Sequence, residues 1–109
     1  MSERFALSGA RIFDGETWHD DAALVVAHGA IEAIVPAVSI PAGVKRVEAG
    51  GAFLAPGFID LQVNGGGGVM LNDHPDLASI ETICAAHVPF GTTALLPTLI
   101  TDTPQITAA

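Results

Sequence analysis

From Phe5 to Phe13, and again from Ala22 to Val35, short apolar runs are broken by turn residues: Asp14-Gly15, His28-Gly29, and then Pro36, Pro41 and Gly43. Runs of this length between such punctuation predict short antiparallel strands. Ala23-Leu24-Val25-Val26 and the segment from Ala30 to Val35 meet at His28-Gly29, which predicts a β-hairpin whose glycine takes the positive φ of the turn. Val44 to Val47 and Ala52 to Ala55, separated by Gly50-Gly51, predict two further strands. Up to Ala55 the chain is expected to form a small β-rich module.

The pattern changes at Pro56-Gly57. Phe58-Ile59-Asp60-Leu61-Gln62-Val63-Asn64 has the composition of a strand and runs abruptly into Gly65-Gly66-Gly67-Gly68, which predicts a flexible loop. Between Asp76 and Phe90 the apolar residues Leu77, Ile80, Ile83, Cys84 and Val88 fall near helical spacing, and Gly91 closes the segment. Thr92 to Ile100 is a second strand-like run, so 58–100 reads strand, loop, helix, strand, the unit of a parallel sheet. Thr101, Asp102 and Thr103 are good N-cap residues, Pro104 suits a first turn, and a last helix is expected to begin there.

Composition narrows the class. The 109 residues are 50% hydrophobic and their mean hydropathy is +0.49, which excludes a disordered acidic tail. Four basic against twelve acidic residues leave a net charge of -8, too little positive charge to grip nucleic acid or an anionic membrane. A lone Cys84 excludes a disulfide framework and is compatible with a reducing compartment. The apolar runs are too short to span a bilayer, and Met1 to Phe13 lacks a secretory signal's apolar segment, so a soluble, unexported protein is expected.

Alternation on a strand puts Asp60, Gln62 and Asn64 on one face and Ile59, Leu61 and Val63 on the other. In parallel α/β architectures the carboxyl ends of strands and the loops that follow them bind ligands, which makes Gln62, Asn64 and the glycine loop the candidate site. The alternative is that Gln62 and Asn64 satisfy buried backbone groups; Asp60, deeper in the strand, is expected to hold structure. Backbone N–H groups of a glycine run can cradle an anion, but no Walker or dinucleotide fingerprint accompanies this one. His19, His28, His74 and His87 lack metal-chelating spacing, and Cys84 is expected to be a core residue. The absence of a Gly-x-Ser-x-Gly elbow disfavours a serine hydrolase.

Two blocks carry a family resemblance: Leu54-Ala55-Pro56-Gly57-Phe58-Ile59-Asp60-Leu61-Gln62-Val63-Asn64-Gly65, continuing through Asp73, and Gly91-Thr92-Thr93-Ala94-Leu95-Leu96-Pro97-Thr98-Leu99-Ile100-Thr101. They resemble the N-acetylglucosamine-6-phosphate deacetylases of the amidohydrolase superfamily. Pro-Gly-Phe-Ile-Asp is widespread among amidohydrolases, whereas Gln-x-Asn-Gly with Leu-Pro-Thr-Leu-Ile-Thr is more particular to the deacetylases. The resemblance implies an α/β fold, with residues 1–55 the amino-terminal part of a β-sandwich and 56–109 the start of a metal-dependent (β/α)8 barrel. A barrel takes about 250 residues, so this chain is expected to be an incomplete amino-terminal portion, inactive alone.

Many amidohydrolases carry His-x-His where Gln62 and Asn64 stand, and amides bind divalent metals less well than imidazole. The resemblance therefore implies one divalent ion, zinc or iron, with ligands and the catalytic Asp beyond residue 109, and with Gln62, Asn64, Gly65 and Gly66 lining the substrate pocket. It implies hydrolysis of N-acetylglucosamine 6-phosphate by a cytoplasmic homodimer of amino-sugar catabolism. Two alternatives stand beside it: an amidohydrolase for a cyclic amide or an N-acyl amino acid, and a non-enzymatic truncated product that binds a partner through open strand edges.

Overall fold

The computed structural model describes residues 4–108, which divide into two compact units at Pro56/Gly57. In the first unit, β1 (Phe5–Phe13), β2 (Trp18–Ala27), β3 (Ala30–Pro36), β4 (Lys45–Glu48) and β5 (Phe53–Leu54) build one five-stranded sheet. Its order is β3-β2-β1-β4, with β5 also on β1. Pairing of β1 with β2 and of β2 with β3 is antiparallel, but β4 and β5 both run parallel to β1. The first three strands are antiparallel as expected, and β4 and β5 make the sheet mixed. The cause is the arm from Ala37 to Val44, which carries the chain back to the start of β1 instead of folding it over in a tight turn.

Both hairpins are locally encoded. Asp14 accepts backbone N–H bonds from Glu16 and Thr17 through Oδ1, each at 2.8 Å, and its Oδ2 meets His19 Nε2 at 2.6 Å. In the second turn His28 (φ 54°) joins Gly29 (φ 74°) in the left-handed region. Two consecutive positive φ values give the twist that matches two-residue hairpins, so the histidine as well as the expected glycine adopts that conformation.

Apolar residues of β2 are buried in succession, from Ala22 through Val25. Ala23 and Val25 pack with Ala6 and Ile40 on one side, Ala22 and Leu24 with Ala10 and Ile12 on the other. A half-solvated strand would alternate; this one is covered on both faces.

In the second unit β6 (Phe58–Val63) and β9 (Thr92–Pro97) pair in parallel across α1 (Leu77–His87). The short strands β7 (Gly65–Gly66) and β8 (Val69–Met70) form a hairpin, and α2 (Pro104–Thr107) follows β9. Asp76 caps α1 by accepting from Ser79 N at 2.8 Å, and Gly91 (φ 88°) ends the following 3-10 turn. The core is Val63, Leu71 and fully buried Ile83, flanked by Ile80, Leu95 and Leu99. Elsewhere β6 and β9 expose apolar side chains: Phe58, Ile59, Leu61 and Leu96. Among the described residues no helix is long and apolar enough to cross a membrane.

Ile83→Ala is expected to lower stability by about 2–5 kcal/mol, because it leaves a cavity where helix meets strands. Leu77→Ala, on the exposed side of the same helix, is expected to stay within about 0.5 kcal/mol of the parent. Urea unfolding followed by circular dichroism checks both, and equal effects would displace Ile83 from the centre of the core.

Candidate functional site

Strand β6 ends at Val63, and its pairing with β9 is extended by a bond from Thr98 N to Val63 O at 2.8 Å. Beyond it Asn64 leaves the strand with its side-chain Nδ2 donating to Thr98 O at 2.8 Å. The main chain of Asn64 then accepts from Leu71 N at 2.9 Å. The amide thus joins the carboxyl ends of the two parallel strands. Gln62 is exposed, and its backbone N–H donates to Asp60 Oδ1 at 3.1 Å. One Asp60 carboxylate oxygen thus bonds within its own strand.

The glycine run is a hairpin rather than the expected flexible loop. Gly65 pairs with Met70 and Gly66 with Val69, and Gly67 (φ 62°) and Gly68 (φ 81°) form the turn, the backbone combination that favours Gly-Gly. The hairpin lies against α1: a Cβ at Gly66 would stand 3.0 Å from His87 Nε2. His87 itself contacts Gly65 O at 3.2 Å, so this histidine holds the hairpin.

A further pair of residues, not singled out by pattern for this purpose, completes the arrangement. Asn72 accepts from Ile100 N and donates to Ile100 O, each at 2.9 Å, and also donates to Asp102 Oδ2 at 2.9 Å. Asp102 Oδ1 accepts from Thr103 N at 2.7 Å. Thr103, among the three candidate caps, is the one that caps α2. The hydrogen bond from Asn72, followed by that from Thr103, holds the Asp102 carboxyl below the ordinary aspartate value. Asp76 is lowered too, chiefly by the Ser79 backbone N–H.

On the α1 side of β9 there is an open apolar hollow of about 260 Å³, lined by Ile80, Cys84, Val88, Thr93, Leu95 and Pro97. Gln62 and Asn64 do not line it, and its lining offers packing surface rather than polar recognition. Cys84 is half-buried on the wall of this hollow and outside the cluster around Ile83, a correction to the expected core position. Among the described residues no three His, Cys, Asp or Glu side chains come together as a metal site.

Residues 4–54 match the family described as the NagA composite domain. The chain is 36% identical over 98 residues to N-acetylglucosamine-6-phosphate deacetylase of Haemophilus influenzae, covering 90% of this chain and 26% of that enzyme. In structure it superposes on N-acetylglucosamine-6-phosphate deacetylase of Pasteurella multocida with a TM-score of 0.89 and 34% identity, over 96% of this chain and 28% of that one. In sequence and in backbone the chain matches the amino-terminal part of N-acetylglucosamine-6-phosphate deacetylases. It spans about a quarter of the length of these relatives.

Two other deacetylases bear on substrate. An N-acetylgalactosamine-6-phosphate deacetylase of a Shewanella species is 54% identical over 56 residues, 51% of this chain and 14% of that protein. The enzyme of Mycobacterium smegmatis, solved in complex with N-acetyl-D-glucosamine-6-phosphate, superposes with a TM-score of 0.81 and 26% identity over 95% of this chain and 26% of that one. Deacetylases named for either amino sugar are thus similar to this chain in sequence.

Asp76 and Asp102 set a pH dependence. Their folded values lie below the ordinary 3.8, so the stability they contribute is complete above that value and is lost as pH falls through the lower folded values. Asp76→Asn and Asp102→Asn are each expected to destabilise at pH 6.5 and to reduce the further loss between pH 4 and pH 2. Urea midpoints across that range check this; parallel curves for parent and variants would contradict it.

Proposed function

We propose that this chain forms the amino-terminal part of an enzyme that hydrolyses the acetamido group of N-acetylglucosamine 6-phosphate, giving glucosamine 6-phosphate and acetate. The observation that carries this reading is the near end-to-end likeness to two such deacetylases, in sequence and in backbone. In this reading residues 1–55 belong to a β-sandwich and residues 56–109 open a (β/α)8 barrel. The exposed apolar residues on both faces of β6 favour the barrel, because a parallel strand is ordinarily covered on both sides. The working protein is a cytoplasmic homodimer.

Gln62, Asn64, Gly65 and Gly66 line the substrate pocket. Gln62 carries both an amide donor and an acceptor, the complement of an acetamido group or a sugar hydroxyl. Asn64 commits its nitrogen to Thr98, so its work is to hold the strand ends together at the pocket rim. The divalent ion of the family, zinc or iron, does not fit the donors present: the side chains at 62 and 64 are amides, and among the described residues no acidic, histidine or cysteine cluster accompanies them. Its ligands, and the Asp that moves the proton, lie outside this chain, and these residues supply pocket shape and polarity.

A second substrate, N-acetylgalactosamine 6-phosphate, is favoured by the 54% identity to the Shewanella enzyme. The two sugars differ only in configuration at one ring carbon, remote from the bond that breaks.

The deciding assay is release of acetate and free amine from each phosphorylated sugar by the complete gene product that carries this chain. Turnover of N-acetylglucosamine 6-phosphate is expected, with activity removed by a chelator and restored by zinc or iron(II). A higher kcat/KM with the galactosamine derivative would reassign the substrate; no turnover of either sugar with metal supplied would reject the deacetylase reading. The 109-residue polypeptide alone is expected to release no acetate above the metal-free blank.

A further inference from the structure

We propose that Asn72 and Asp102 are positioning residues of the pocket, locking the segment after β6 onto the segment after β9 so that Gln62, Asn64 and the glycine hairpin are held in register. What the pocket binds rests on the deacetylase reading; the lock rests on geometry alone. One side-chain amide grips both polar atoms of a single residue's backbone: Asn72 Oδ1 accepts from Ile100 N and Nδ2 donates to Ile100 O, each at 2.9 Å. Such a two-point grip fails if either segment slides by about an ångström, because hydrogen bonds weaken steeply outside their narrow range of distance and angle.

The grip is placed where sheet pairing no longer acts. The β6–β9 register ends at Val63 and Pro97, with one more bond to Thr98 N. Asn64 ties the segments at Thr98, and Asn72 ties them again at Ile100, two residues farther out. One tie would leave a pivot; two ties remove it. Asp102 fixes the donor side of Asn72 by accepting from Nδ2 at 2.9 Å, and is itself steadied by Thr103 N. Neither Asn72 nor Asp102 is in the cluster of Val63, Leu71 and Ile83. Both stand at the carboxyl ends of parallel strands, where this class of fold builds its sites.

The pair can be inverted chemically. Asn72→Asp keeps an acceptor for Ile100 N, loses the donor to Ile100 O, and sets a second carboxylate against Asp102. Adding Asp102→Asn to that variant restores one donor facing one acceptor, with the roles exchanged.

The test uses the complete gene product, with amide hydrogen exchange at Ile100 and steady-state kinetics on N-acetylglucosamine 6-phosphate measured side by side. N72D is expected to speed Ile100 exchange at least tenfold and to lower kcat about tenfold, with KM changed less than threefold, the mark of lost orientation rather than lost binding. The double variant N72D/D102N is expected to recover part of both losses. Should N72D fail to fold, D102N, which leaves both Ile100 bonds in place, carries the same kinetic comparison with a smaller expected drop in kcat.

Faster Ile100 exchange with unchanged kcat would reduce Asn72 to a structural tie and overturn the proposal, as would a folded N72D with parental exchange and kcat. If the parent turns over neither sugar, the deacetylase reading falls by itself, and with it the positioning role, whatever the exchange at Ile100.

Discussion

Two parallel strands cannot be closed by a tight turn, and that constraint organises everything between Phe58 and Pro97. The chain leaves the end of β6, must return to the beginning of β9, and does so through α1. The return is stable only if the helix packs on the strands it connects, which Ile83 achieves in a cluster with Val63 of β6 and Leu95 of β9. Once that packing is set, the carboxyl ends of β6 and β9 lie together. The segments 64–72 and 98–102, far apart in sequence, are then close enough for Asn64 and Asn72 to bridge them. The amide network is thus a consequence of the crossover, and cannot exist without it.

The first unit meets a different constraint. The run Ala22-Ala23-Leu24-Val25 is buried on both sides, so the sheet needs cover on two faces. One side is served by the arm that carries Ile40 and Val44, and the other by Leu54 and Ala49. That same arm delivers β4 to β1 in parallel. Its route explains both the burial and the departure from an all-antiparallel meander.

The local parts of this architecture are legible in the residues. Asp14-Gly15, His28-Gly29, the cap at Thr103 and the stop at Gly91 each carry their own instruction, because a turn or cap is decided within a few positions. The direction of β4 was not legible: Val44 to Val47 looks alike in either orientation. The glycine run misled for a related reason, since four glycines signal freedom unless something packs on them, and Thr82, Ala86 and His87 do so from 15 or more positions away. Alternation singles out Gln62 and Asn64 on β6 but says nothing of Asn72, whose partner lies 28 residues along.

Amides rather than imidazoles stand at positions 62 and 64, and that difference bears on how the strand ends are held. An imidazole bound to a metal offers its second nitrogen to a neighbour and is then fully engaged. An amide keeps separate donor and acceptor atoms, so Asn64 can join Thr98 through its nitrogen while remaining at the end of the strand. The Asn64 side chain thereby binds the chain itself. Beyond the paired residues the mutual placement of the two strand ends is secured by hydrogen bonds, and the side chains that make them are the uncharged amides of Asn64 and Asn72. Their neutrality matters: they tie carbonyl and N–H groups together without adding charge to a chain whose net charge is already -8.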